Sequence, residues 1–111
     1  MNKIDLNVAL EYLGGIREMF DIVGNSFLDS YKDFENRMKN YIKDNNYKLV
    51  YNDIHSLKGI TLNLGMVSLY DSSVKVLENL KLNIINISDI DDFLKVFNET
   101  YFELNQILNE K

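Results

Sequence analysis

The sequence predicts an all-α protein, an antiparallel up-down-up-down four-helix bundle preceded by a short N-terminal helix. Three observations predict it: the 111 residues include no proline, the five glycines fall at a few points, and apolar residues recur in steps of three or four. The composition, 46% apolar and 26% charged, is that of an ordinary globular protein. Because no linker or internal repeat divides the chain, we expect one domain over residues 1–111.

Each helix is predicted from an apolar stripe and from the signals at its ends. The expected elements are an opening helix over about 6–13 that ends at Gly14-Gly15, one long helix over 16–45, a helix over 50–64 that ends at Gly65, a helix over 69–80, and a last helix over 90–108 whose capping-box start is Ser88-Asp89-Ile90-Asp91. The connections are short, so consecutive helices should be antiparallel neighbours. Asparagine is abundant throughout, and we interpret it as compositional bias.

Composition excludes several classes of function. The 12 basic and 17 acidic residues give a net charge of −5, which argues against a nucleic acid partner because phosphate binding needs a basic surface. The absence of cysteine excludes a disulfide framework and a thiol nucleophile. Apolar runs fall far short of the roughly 20 residues that a bilayer requires, and the chain starts without a secretory signal. We therefore expect a cytoplasmic protein without a membrane partner.

The only histidine, His55, lies in the third predicted helix, and the residues around it make it a candidate functional residue. At about 100° per residue, His55 points roughly 140° from the centre of the apolar stripe, so its imidazole should face water. Gly59, one turn later, is unfavourable in a helix and leaves the ring approachable. Lys58 places a cation beside it that would attract a negatively charged group. The simpler interpretations are an idle or hydrogen-bonded histidine, a solvated lysine and a glycine used for helix packing.

Four further residues are expected on the outward sector of the same helix. They are Lys48, Tyr51, Asn52 and Leu62. Tyr51 and Leu62 add apolar surface around the histidine, and such surface is typical of a docking patch. We therefore treat the four as candidate partner-binding residues.

The segment His55-Ser56-Leu57-Lys58-Gly59, followed by Leu64-Gly65, resembles the motif of the histidine-containing phosphotransfer (HPt) domain family. That motif is approximately His-x-Leu-Lys-Gly with Leu-Gly one and a half turns later. Ile4-Asp5-Leu6 with Gly14-Gly15 is similar to the family's opening, and Leu77-Glu78 is similar to the end of its next helix. The likeness covers most of residues 4–80, whereas the last helix is similar only in being amphipathic.

The resemblance implies a phosphocarrier that is not an enzyme and has no nucleotide site. His55 would accept a phosphoryl group from the phospho-aspartate of one receiver domain and pass it to another, while Lys58 stabilises its charge and Gly59 keeps the imidazole accessible. The implied partners are response-regulator receiver domains and a hybrid histidine kinase. No cofactor is expected here, since Mg²⁺ would belong to the receiver. Ile54, Ile60 and Leu62 are bulkier than the family's usual residues, which bears on partner choice.

Two alternatives stay open. The chain could be an interaction or adaptor bundle in which His55 is inactive, because a fold does not fix a function. It could also be the phosphoacceptor domain of a larger kinase of the chemotaxis type. Phosphorylation of the chain by itself from ATP is excluded, since neither of the nucleotide-binding motifs G-x-x-x-x-G-K-[ST] and G-x-G-x-x-G occurs. No metal site is expected either: Asn52 stands where a di-iron bundle needs Glu, and Asp89, Asp91 and Asp92 lack the glycine and glutamate of an EF-hand.

Overall fold

The computed structural model describes residues 2–110, and every regular element in that range is a helix, as the sequence predicts. The elements are α1 (Leu6–Tyr12), α2 (Arg17–Tyr31), α3 (Phe34–Lys43), α4 (Tyr47–Thr61), a 3₁₀ turn (Leu62–Leu64), α5 (Val67–Lys81) and α6 (Ile87–Asn109). Met1 and Lys111, the two ends of the predicted domain, lie outside the described residues. None of the helices named here has the length and apolarity needed to span a bilayer.

The prediction of one unbroken helix over 16–45 is wrong, because the chain leaves the helical conformation at Asp33 and divides into α2 and α3. Asp33 has φ −113° and ψ 18°, and its carboxylate accepts a hydrogen bond from the Asn36 side chain at 3.0 Å. Tyr31 and Phe34, on the two sides of the break, pack edge to face with ring centroids 5.6 Å apart. The apolar spacing therefore continues across the break, and that continuity concealed it in the sequence.

The helices pack around a single apolar core. α4 packs against α3 and α5, and α6 packs against α5 and α2. The circuit is closed by the chain itself, which joins α2 to α3. Much of the core is aromatic, and the rings of α2, α3 and α6 contact one another in tilted or edge-to-face pairs. The fully buried phenylalanines are Phe20, Phe27, Phe34 and Phe93. Each large buried ring removes more apolar area from water than a smaller side chain does, so this cluster contributes strongly to stability.

α4 and the 3₁₀ turn end at Gly65, as predicted. Gly65 is left-handed, with φ 69°, and its carbonyl accepts a hydrogen bond from the Asp5 backbone N–H at 2.9 Å. A Cβ at this position would run into the Asp5 backbone, so two separate constraints require glycine. The contact also brings the segment before α1 against the end of α4. The predicted end of α1 at Gly14-Gly15 is confirmed, since both glycines have positive φ.

Four asparagines lie at helix ends, where they have structural roles, so compositional bias alone does not explain them. Asn45 and Asn83 follow α3 and α5 with φ values of 55° and 56°, a left-handed conformation that asparagine tolerates better than most residues. Asn46 and Asn86 cap α4 and α6 through their side-chain oxygens. The expected start of the last helix at Ser88 is therefore wrong by two residues, because the cap is Asn86.

Candidate functional site

The imidazole of His55 faces solvent, as the helical spacing predicts. Ile54 and Leu57, its neighbours on the inner face of α4, are fully buried, whereas His55 and Gly59 are exposed. The core contacts of α4 therefore fix the helix without using the histidine. A rigid helix that presents one imidazole to water leaves both ring nitrogens available to an incoming group.

Gly59 leaves open space beside that imidazole. It lies in the regular part of α4, and a Cβ built on it would meet nothing within 4 Å. Nothing in the packing therefore requires glycine here, in contrast to Gly65. The space next to His55 is free for a group that approaches the ring.

His55 opens into a surface cleft of about 190 Å³ between α4 and α5, here named the histidine cleft. Its principal lining residues are Tyr51, His55 and Lys58 from α4 and Val74, Glu78 and Lys81 from α5. The half-buried Tyr51 ring stacks on the imidazole, with centroids 5.9 Å apart and planes 18° apart. This offset stacking favours an orientation in which the imidazole lies over the tyrosine ring. The sequence placed Tyr51 on this face, and its i, i+4 spacing to the histidine is the signal that could have predicted the contact.

The charges in the histidine cleft are mainly positive although the chain as a whole carries −5. Lys58 comes from α4 and Lys81 from α5, and Glu78 is the one acid in the lining. The four ion pairs within residues 2–110 involve other side chains. Neither Lys58 nor Lys81 forms an ion pair in that range. Two ammonium groups near one imidazole suit an anionic reacting group. The sequence did not predict that these α5 residues belong to the site, because their position beside His55 depends on helix packing.

The opposite flank of α4 is tied to α3 by a half-buried ion pair. The Arg37 guanidinium lies 3.2 Å from the Asp53 carboxylate and 5.6 Å from the centroid of the Phe34 ring. Burial, with a smaller contribution from Asp53, raises the pKa of the neighbouring Tyr31 hydroxyl, and the Arg37 charge partly opposes that rise. The pair is structural, since it fixes the α3 side of α4 and leaves the α5 side to carry the cleft.

Three of the four candidate partner-binding residues come together in a second cleft, here named the loop groove. It measures about 410 Å³, and its lining includes Lys48, Tyr51 and Asn52 from α4 with Asn83 and Ile85 from the α5–α6 loop. Tyr51 lines both clefts, so the two are adjacent. The fourth candidate, Leu62, lies half-buried in the 3₁₀ turn and lines neither cleft. It stands about two turns beyond His55, toward Gly65, whereas the loop groove lies at the start of α4.

A larger cleft of about 500 Å³ lies between the N-terminal segment and α6, and its carboxylates already have structural partners. The Glu103 side chain accepts the backbone N–H groups of Lys3 and Ile4, both at 2.8 Å. The Asp5 carboxylate caps α1 by accepting two further backbone N–H groups. Nowhere in the described range do three metal-ligating side chains of the His, Cys, Asp or Glu type cluster. The histidine cleft is therefore the better candidate for chemistry.

Comparison with family models, curated proteins and solved structures gave no match to the chain. The basis for a functional conclusion is thus the geometry around His55 together with the motif in which it stands.

Proposed function

We propose that the chain is a histidine phosphocarrier of a two-component phosphorelay, with the architecture of an HPt domain. His55 accepts a phosphoryl group from the phospho-aspartate of a receiver domain and passes it to another receiver. The chain has no catalytic cycle or nucleotide site of its own. The single observation that carries the proposal is a solvent-facing imidazole flanked by open space at Gly59 and by the ammonium group of Lys58.

The packing circuit of the helices supports the four-helix part of this proposal. If α2 and α3 are counted as one broken member, the circuit contains four units in chain order, with short connections between them. Short connections favour antiparallel neighbours and hence an up-down-up-down bundle. α1 is then an additional short helix that covers the end of the bundle at the 3₁₀ turn, which it contacts.

The chemistry that this site supports is an in-line displacement at phosphorus. An unprotonated ring nitrogen of His55 attacks, the new N–P bond forms, and the O–P bond to the receiver's aspartate breaks as the carboxylate leaves. A neutral imidazole is a good nucleophile near pH 7, and the transfer depends mainly on positioning and charge stabilisation. Tyr51 stacks on the ring, and Lys58 stabilises the charge on the transferred group. The Mg²⁺ needed for the receiver's chemistry stays with the receiver.

The experiment is phosphoryl transfer from purified receiver domains charged with acetyl phosphate. We expect the chain to acquire phosphate that is labile in acid and stable in alkali, the signature of phosphohistidine. His55→Gln should accept none while unfolding at the same temperature as the wild type, because the exposed imidazole contributes little to stability. Transfer to His55→Gln at the wild-type rate, or no transfer from any receiver of the host, would contradict the proposal.

One observation favours a second candidate, a helical interaction module with an inactive His55. The loop between α5 and α6 exposes several large apolar side chains, as a protein-binding surface does. The same phosphate test separates the candidates, because an interaction module binds its partner without phosphohistidine. A phosphoacceptor domain of a chemotaxis-type kinase would instead be charged by the kinase's own ATP-binding domain.

A further inference from the structure

The loop between α5 and α6 is unusually apolar for a solvent-exposed connection. Eleven large hydrophobic side chains are exposed within residues 2–110, and four of them fall in the six residues from Leu82 to Ile87. Leu82 is 71% exposed, and Ile84, Ile85 and Ile87 are each between 42% and 47% exposed. Connecting segments of monomeric proteins are normally polar, so a concentration of this kind indicates a binding surface.

Hydrogen bonds also tie both ends of the loop to the neighbouring helices. Asn83 adopts a left-handed conformation, and the N–H of Ile84 donates to the Asn79 carbonyl at 2.9 Å. At the other end, Asn86 caps α6, and the Asn79 side chain donates to the Asp89 carboxylate at 3.1 Å. A surface fixed in this way loses little conformational freedom when a partner binds.

The loop groove connects this apolar surface to the histidine. Ile85 lines the groove at the loop end, and Tyr51, which stacks on His55, lines it at the other. The charged side chains that line the groove and the histidine cleft are three lysines, Lys48, Lys58 and Lys81, against the single glutamate Glu78. In a chain with a net charge of −5, this local excess of cations complements an acidic partner.

We infer that the loop groove is the docking site of the receiver domain that exchanges phosphate with His55, and that the α5–α6 loop determines which receiver is recognised. The inference rests on the proposed function. The occupant is a receiver whose phosphorylation pocket is rimmed by acidic side chains and adjoined by an apolar ridge. The acidic rim faces the lysines, and the ridge contacts Ile85 and its neighbours. Recognition and phosphoryl chemistry are then carried by different residues of two adjacent clefts.

The test uses a receiver that transfers phosphate to the wild-type chain, charged with acetyl phosphate, and measures the transfer rate against receiver concentration. Ile85→Ser removes an apolar contact at the groove, and Phe102→Ser is the matched control. Phe102 is 62% exposed on α6 and lines neither cleft. We expect Ile85→Ser to raise the apparent KM about tenfold with the maximal rate unchanged, as for the loss of one apolar anchor. Phe102→Ser should match the wild type.

The electrostatic part of the inference is tested by comparing Lys48→Glu with a control, Lys95→Glu. The control makes a charge change of the same size at an exposed position of α6. Lys48→Glu should raise the KM more strongly than Lys95→Glu, and the difference should shrink in about 0.5 M salt. Circular dichroism checks that every variant folds.

Each other outcome has a definite meaning. If no receiver charges the wild-type chain, the proposed function fails and this inference falls with it. If transfer occurs and Ile85→Ser leaves the KM unchanged, the inference alone is overturned. Sedimentation that shows a wild-type dimer and a monomeric Ile85→Ser variant would assign the groove to a second copy of the chain, and would also overturn it.

Discussion

Two glycines of the motif, Gly59 and Gly65, should respond in opposite ways to replacement by alanine. At Gly59 the backbone is helical and a Cβ meets nothing within 4 Å, so Gly59→Ala gains the helix propensity difference, about 1 kcal/mol, with no steric cost. At Gly65 the left-handed backbone costs alanine about 1 kcal/mol, and the collision with Asp5 sacrifices a hydrogen bond of similar value. We expect Gly65→Ala to lose about 2 kcal/mol.

Urea unfolding followed by circular dichroism measures both changes. For a domain of this size, a gain of 1 kcal/mol corresponds to a rise in melting temperature of about 4 °C. The functional companion is Gly59→Leu, which should fold at least as well as the wild type and slow phosphoryl transfer by about tenfold or more, because its side chain fills the space beside His55. If Gly59→Ala is less stable than the wild type, residue 59 does not have free space for a side chain. If Gly59→Leu transfers phosphate at the wild-type rate, that space is not the route by which a phosphoryl group reaches His55.

Three further predictions concern single side chains. Glu103→Ala should lower the free energy of unfolding by about 2 kcal/mol in urea titration, because its carboxylate accepts two backbone N–H groups of the N-terminal segment, whereas Glu103→Gln should lose less. Tyr101→Phe should cost about 1 kcal/mol at neutral pH, since its hydroxyl donates to the Leu28 carbonyl at 2.7 Å. Burial raises the pKa of Tyr101, so the wild type should lose stability as the pH rises above about 10, where unfolded tyrosine ionises first, and the variant should show a smaller loss in unfolding measured across that range. Lys58→Ala should slow transfer to His55 at least tenfold in rapid-quench measurements while changing stability by under about 0.5 kcal/mol, and equal rates would show that the lysine takes no part.

The inner face of α4 could be predicted from the sequence because it depends on local periodicity. The spacing of Val50, Ile54 and Leu57 fixes which side is buried, and the exposure of His55 follows by geometry alone. Gly65 was recognisable as a helix end for the same local reason. The break at Asp33 was not, because the residues on both sides of it enter one core and preserve the apolar spacing.

The parts of the site that the sequence missed depend on contacts between distant segments. Lys81 and Glu78 reach the histidine cleft only because α5 packs beside α4, and no pattern within either helix specifies that register. The position of Ile85 in the loop groove likewise depends on how the α5–α6 loop folds back beside the start of α4. Leu62 lines neither cleft because it stands about two turns beyond His55, at the opposite end of α4 from the loop groove.

α4 separates stability from chemistry on its two faces, and this separation bears on why Gly59 is glycine. The buried face supplies the apolar contacts, so any small side chain on the exposed face is compatible with the fold. Alanine at residue 59 would raise the free energy of unfolding by about 1 kcal/mol. Gly65 differs, since its left-handed backbone and the close approach of the Asp5 backbone together require glycine. Folding does not require glycine at residue 59. The stability that this glycine costs is explained if a partner's phosphoryl group uses the open space beside His55 to reach the imidazole.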